Sequence, residues 1–275
     1  MIVFDYTLWT IILAGAVTGL LSGVLGVFTL LRKQSLLGDT ISHAALPGIA
    51  IAFLIMQTKV QLALILGAMA VGWLGALFIS WVIKNSRVKQ DAVMGVVLSG
   101  FFGFGLVLLS VIQNMPSANK AGLTKFLFGN AATVLRQDVV IMSVFAIISI
   151  IILITFWKEF KLATFDPDFM VSLGFPVKLL DVLLLSTVVI AITIGLQAIG
   201  VVLMSALLIA PAAAARQWTD RLGVMTFLAA FIGTVSSIIG AMISSIFDKM
   251  PTGPVTVLIV TIFVLISIFF AGICE

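Results

Sequence analysis

The sequence predicts an all-α fold, a polytopic integral membrane bundle of about nine transmembrane helices, and three observations carry that reading. The chain has 275 residues, of which 62% are apolar and only 9% charged, against roughly 25% charged in an average soluble domain. Its mean hydropathy is +1.30. Apolar stretches close to the roughly 20 residues that a helix needs to cross about 30 Å of hydrocarbon take up most of the chain. Nothing is left for a second folded domain, so residues 1–275 read as one transmembrane domain. A water-soluble globular protein is excluded, and any energy source is another polypeptide or a transmembrane gradient.

The spans fall near Thr7 to Leu31, Asp39 to Met56, Val60 to Ile83, Ala92 to Gln113, Asp138 to Trp157, Leu179 to Gln197, Gly200 to Trp218, Leu222 to Phe247 and Val255 to Gly272. The first ten residues carry no basic cluster, and the first apolar run reaches Leu31 without a small-residue cleavage pattern. It reads as a retained helix rather than a signal peptide. In that span Gly15, Gly19 and Gly23 recur every fourth residue, which lets a neighbouring backbone approach closely where lipid supplies no hydrophobic drive. Gly100, Gly103 and Gly105 are expected to do a similar job in the fourth span, with Phe101, Phe102 and Phe104 packing or facing lipid. The short second span and the stretch from Gly200 to Trp218 leave eight to ten crossings open. In Ala210-Pro211-Ala212-Ala213-Ala214-Ala215 the proline frees a carbonyl and the small side chains admit a close partner, as suits a kinked helix, whether plain or beside a pathway.

Charge sets the orientation. With linkers alternating sides, Arg32, Lys33, Lys84, Arg87, Lys89, Lys158, Lys161, Lys178, Arg216 and Arg221 fall on one side, and Lys59, Lys120, Lys125, Arg136 and Lys249 on the other. Ten cations against five place the first set in the cytoplasm, with the N-terminus outside and the C-terminus inside. The net charge of +4 is scattered between apolar runs rather than gathered on a surface, so no nucleic-acid partner is expected. The single cysteine, Cys274, excludes an internal disulfide and a thiolate cluster.

The only histidine, His43, follows Asp39 by four residues in Gly38-Asp39-Thr40-Ile41-Ser42-His43-Ala44-Ala45-Leu46-Pro47-Gly48. On a helix the two project from one face a turn apart and can hold one metal ion between them. An ionisable pair at that depth is costly unless it meets water, an ion or a partner. The alternative is an Asp39 that caps the second helix, with His43 bonded to a carbonyl, and Asp39 can serve both roles. Two ligands do not fill a divalent coordination shell, so a second permeating chain, identical or similar, is expected to bring the rest across a two-fold axis. One carboxylate and one imidazole suit Mn2+, Zn2+ or Fe2+ better than Ca2+ or Mg2+, and the lack of thiolate argues against Cu(I). A metal bound by imidazole competes with protons, so occupancy is expected to fall as the medium becomes acid.

After the fifth span, Phe165-Asp166-Pro167-Asp168-Phe169-Met170-Val171-Ser172-Leu173-Gly174 encodes a helix of about two turns near residues 165–174. Asp166 is a good N-cap, Pro167 fits the first turn and Gly174 stops it. Its apolar residues Phe165, Phe169, Met170 and Leu173 are expected to be exposed, docking into a groove on a cytoplasmic partner or lying on the bilayer. The outer linker from Asn114 to Gln137, with Leu127-Phe128-Gly129-Asn130, is expected to form a short external helix that meets a delivery protein or serves as an interfacial lid.

These segments together resemble the permease subunits of the manganese, zinc and iron uptake family of ATP-binding cassette transporters. The likeness rests on Leu31-Arg32-Lys33 leading into Gly38 to Gly48, then Leu127 to Asn130, Phe165-Asp166-Pro167 and Leu208-Ile209-Ala210-Pro211-Ala212-Ala213, in the expected order. Thr40 departs from the alanine usual there and could add a hydroxyl behind the ligands. The resemblance implies that Asp39 and His43 are ligands for the transported metal, with no permanently bound cofactor. It implies that Phe165, Asp166, Pro167, Phe169, Met170 and Leu173 couple to cytoplasmic ATP-binding subunits, and that Pro47 and Pro211 line, gate or brace the pathway. It also implies an extracellular metal-binding protein, a dimer of permeases, and a multi-pass place in a bacterial cell membrane.

The chain has no G-x-x-x-x-G-K-[ST] phosphate loop, so it is no ATPase itself. The rivals are a gradient-driven carrier, a channel, and an intramembrane metalloenzyme. Secondary carriers often show inverted repeats, but no second copy of the Asp39 to His43 pattern occurs. H-E-x-x-H and a second histidine are absent, which speaks against the enzyme.

Overall fold

The structure, a computed structural model, describes residues 6–57, 60–115, 135–246 and 250–271. The external-helix expectation around Leu127 to Asn130 lies outside them. Among the described residues there are eleven helices and no strand. They are α1 (Tyr6–Leu31), α2 (Leu37–Met56), α3 (Gln61–Asn85), α4 (Gln90–Asn114), α5 (Arg136–Thr155), α6 (Trp157–Phe165), α7 (Pro167–Ser172), α8 (Val177–Ile199), α9 (Val201–Arg216), α10 (Leu222–Ile246) and α11 (Thr252–Ala271). Eight of them are long and apolar enough to cross a membrane, and α9 is a shorter apolar helix. A helix lies at each of the nine expected places, eight of them long enough to cross and the ninth, α9, shorter.

Of the eight, α2, α8 and α1 are the most enclosed, while α4 and α11 present most of their surface outward. A helix that is apolar all round and still exposed turns that surface to lipid or to another apolar chain. Leu66, Phe104, Ile151, Phe227 and Phe269 are such exposed residues.

The glycine stripe of α1 works as expected. A Cβ at Gly19 would run into the carbonyl of Gly233, one at Gly23 into that of Ala229, and one at Gly15 would lie 3.3 Å from that of Ser237. Each partner is on α10, so the two helices pack antiparallel with their backbones in contact. Gly26 meets the Leu208 carbonyl on α9 in the same way, and a Cβ there would lie 3.6 Å from that of Ala212 in the small-residue stretch.

The fourth span differs from expectation. Gly105 packs against Leu46 and Pro47 of α2, but a Cβ at Gly100 or Gly103 would have nothing within 4 Å among the described residues. Only one of the three glycines mediates contact within the chain, because the other two lie on the face that α4 turns outward.

Between α8 and α9 the chain turns at Gly200, whose φ of +95° and ψ of 164° suit glycine alone. The turn and the nine residues before it are buried. Irregular backbone inside a membrane bundle is tolerated only when protein covers it. At 16 residues, α9 is about 24 Å long, which is why it falls short of a full span.

Candidate functional site

The second helix begins at Leu37, preceded by Leu36 as N-cap with no side-chain capping bond. Asp39 therefore lies inside the first turn and caps nothing, which removes the alternative reading of that residue. Gly38 sits against Ser205 and Leu208 of α9, so the start of α2 is held close to that helix. Thr40 is buried and donates its hydroxyl to the Leu36 carbonyl at 2.8 Å and the Met94 carbonyl at 3.5 Å. Its one proton goes chiefly to Leu36, and no hydrogen bond to Asp39 or His43 is formed among the described residues.

One turn on, His43 Nε2 lies 3.4 Å from Asp39 Oδ1, with the imidazole side chain 15% exposed and the carboxylate 34%. Nδ1 is buried and has no hydrogen-bond partner among the described residues, so the carbonyl bond of the alternative reading is not seen there. The imidazole packs edge-on to Phe102 of α4, ring centroids 4.6 Å apart. Six residues of helix put His43 about 9 Å beyond the start of α2. Among the described residues no group of three or more His, Cys, Asp or Glu side chains comes together, so the pair has no third such side chain beside it there.

The two candidate gate prolines are both buried. Pro47 stands within α2 against Gly105 of α4, and Pro211 within α9 against Gly233 of α10. Each removes a helical hydrogen bond at a helix crossing.

The predicted short helix is α7. Asp166 Oδ1 accepts from the Phe169 backbone N–H at 2.9 Å, Pro167 opens the helix, and Gly174 follows it with φ +80°. Phe165, Phe169 and Leu173 are exposed, at 57%, 51% and 53%. Met170, expected among them, is fully buried. A helix of six residues has two faces, and Met170 falls on the one turned to the protein.

Sequence reading missed α6, which seats this segment. Trp157 and Phe160, three residues apart, stand edge-on to Phe28 of α1 at centroid distances of 5.7 and 6.4 Å, and Phe160 is fully buried. That spacing was the available signal, masked by the charges of Lys158, Glu159 and Lys161. Arg32, just past α1, donates from Nε to Thr164 Oγ1 at 3.1 Å and from Nη1 to Asp181 Oδ1 at 3.0 Å. Lys84 Nζ lies 3.6 Å from the other oxygen of Asp181. Burial pushes the Arg32 guanidinium below its ordinary pKa, and Asp181 pulls it back up. These contacts bring α1, α3, α6 and α8 to one end of the bundle and place three of the linkers assigned to one side together. An acid inside an apolar span, as Asp181 is, was the signal for this network.

The model of the ABC 3 transport family matches residues 4–271. The chain is 46% identical over 264 residues to a zinc transport system membrane protein, TroC, of Treponema pallidum, covering 96% of this chain and 89% of that one. It is 44% identical over 261 residues to a manganese transport system membrane protein, MntC, of Bacillus subtilis, covering 94% of this chain but 60% of that longer one. Among solved structures, PsaBC from Streptococcus pneumoniae in complex with Fab superposes with a TM-score of 0.84 at 31% identity, over 96% of this chain and 91% of that chain. With a matched model spanning nearly its whole length and a bundle of the same architecture, this multi-pass membrane chain belongs to the ABC 3 transport family.

Proposed function

We propose that the chain is the membrane permease of an ATP-driven importer for a divalent transition metal, Mn2+ in first place and Zn2+ or Fe2+ next. The observation that carries the choice of site is the Asp39 and His43 pair, 3.4 Å apart on one face of α2, with a buried ring nitrogen that lacks a partner. An imidazole and a carboxylate form a mixed nitrogen and oxygen set that suits these ions. The names of the relatives, for zinc and for manganese, support the substrate class and leave its choice to experiment.

The site takes its remaining ligands from a second permease. The outward face of α4, with Gly100 and Gly103 open, adjoins Phe102 and hence His43, and it is where such a copy would approach. Two ATP-binding subunits dock, one on the α7 of each permease, through Phe165, Phe169 and Leu173, with Asp166 and Pro167 shaping that helix and Met170 anchoring it from beneath. Their closure moves α7, and α6 with Arg32 passes the motion to the bundle. The end carrying Arg32, Lys84 and Asp181 faces the cytoplasm of a bacterial cell, and a metal-binding protein delivers the ion at the opposite end. Pro47 and Pro211 allow α2 and α9 to bend during the exchange.

The test is uptake of labelled Mn2+ and Zn2+ by cells expressing the complete transporter. His43→Ala and an ATPase-dead companion are each expected to abolish uptake of the same metal. Normal uptake by His43→Ala would remove the ligand assignment, and uptake that persists without ATP hydrolysis would point to a carrier or channel.

A further inference from the structure

A cavity of about 140 Å³ opens between the ends of α1, α3, α4 and α8, with neither Asp39 nor His43 in its lining, and Arg32, Lys84, Gln90 and Asp181 line it. The charges in it do not balance, for two cations face one carboxylate. Both oxygens of Asp181 are engaged, one by Arg32 and one by Lys84. Arg32 has used Nε and Nη1 on Thr164 and Asp181, and its Nη2 is buried with no partner among the described residues. Gln90 Nε2, at the first residue of α4, is buried and unpartnered too. Buried donors are paired in folded proteins almost without exception, and a buried charge still more so. What the cavity lacks is an acceptor that also brings negative charge.

We infer that this cavity is a binding site for a phosphate-class oxyanion, either the headgroup of an anionic phospholipid or free phosphate. A guanidinium edge and an ammonium are the usual pair for such an ion, and the volume admits one tetrahedral group. A water molecule would satisfy a donor but leave the charge. The site lies where the apolar spans of α1 and α3 end, the height of a phospholipid headgroup, and it joins α1, which Arg32 ties to α6, to α3 and α8. An occupant would therefore stiffen the end of the bundle on which α7 rests. This inference is independent of the metal assignment.

The experiment uses the full chain, purified in neutral detergent, and follows thermal unfolding by tryptophan fluorescence. One arm adds inorganic phosphate against chloride at equal ionic strength; the other adds phosphatidylglycerol against phosphatidylcholine. Saturable stabilisation by phosphate names the free ion, and stabilisation by phosphatidylglycerol alone names the lipid. Gln90→Leu and Lys84→Gln keep the Arg32 to Asp181 pair, and Gln90→Leu removes a side-chain amide that makes no hydrogen bond among the described residues. Without ligand Gln90→Leu is expected to unfold like the parent and Lys84→Gln to lose only the small stability of a half-exposed ion pair; both are expected to need about tenfold more ligand for the same shift, the loss of one charge-assisted or buried hydrogen bond. No stabilisation by either probe, or stabilisation undiminished in both variants, would overturn the inference.

Discussion

Gly19→Ala and Gly100→Ala make the same chemical change in two helices and are expected to have opposite signs. In a helix interior alanine is favoured over glycine by about 0.5–1 kcal/mol, because glycine loses more backbone freedom on folding. At Gly100 that gain stands alone, since a Cβ meets nothing within 4 Å. At Gly19 the new methyl would collide with the carbonyl of Gly233 and the hydroxyl of Ser237. The hydroxyl can turn aside, but the carbonyl is fixed in α10. Pushing α1 from α10 along a stripe that also includes Gly15 and Gly23 is an overpacking change, which costs about 1–3 kcal/mol. The propensity gain is common to both variants, so it cancels in their difference. Gly100→Ala is therefore expected to be more stable than Gly19→Ala by about 1–3 kcal/mol. The assay is denaturant unfolding of the monomeric chain in mixed micelles, followed by circular dichroism. Equal stability of the two variants, or a more stable Gly19→Ala, would refute the backbone contact between α1 and α10.

Two further outcomes concern α7 and the turn before α9. Met170→Ala removes a fully buried side chain and is expected to destabilise the chain by about 2–5 kcal/mol, whereas Phe169→Ala, half exposed, is expected to change stability by no more than about 0.5 kcal/mol. Unfolding in micelles measures the first, and metal uptake by the complete transporter should fall with Phe169→Ala despite normal folding if α7 is the docking helix. Gly200→Ala forces a side chain into a φ of +95° and is expected to cost about 1–3 kcal/mol; the same titration checks it, and an unaffected midpoint would deny the strained turn.

Much of the architecture is written in local pattern. The apolar runs have the length of a bilayer crossing, and in lipid a backbone can satisfy its hydrogen bonds only as a helix or a closed barrel, so run length alone determines the spans. The same locality made α7 legible, because Asp166, Pro167 and Gly174 act on the turns beside them. It made the Asp39 and His43 pair legible too, since residues four apart on a helix share a face whatever surrounds it. Facing is another matter. Met170 and Phe169 are neighbours in a short amphipathic segment, and only the floor beneath α7 decides which is covered. Gly19 and Gly100 look alike in sequence, yet one touches α10 and the other touches nothing, because a glycine records that a backbone can approach but not whether one does. Arg32, Lys84 and Asp181 are separated by 52 and 97 positions, and their meeting depends on the packing of α1, α3 and α8. Run length, caps and i,i+4 pairs are properties of the chain alone, while burial, backbone contact and charge pairing belong to distant segments brought together, and those only the tertiary structure decides.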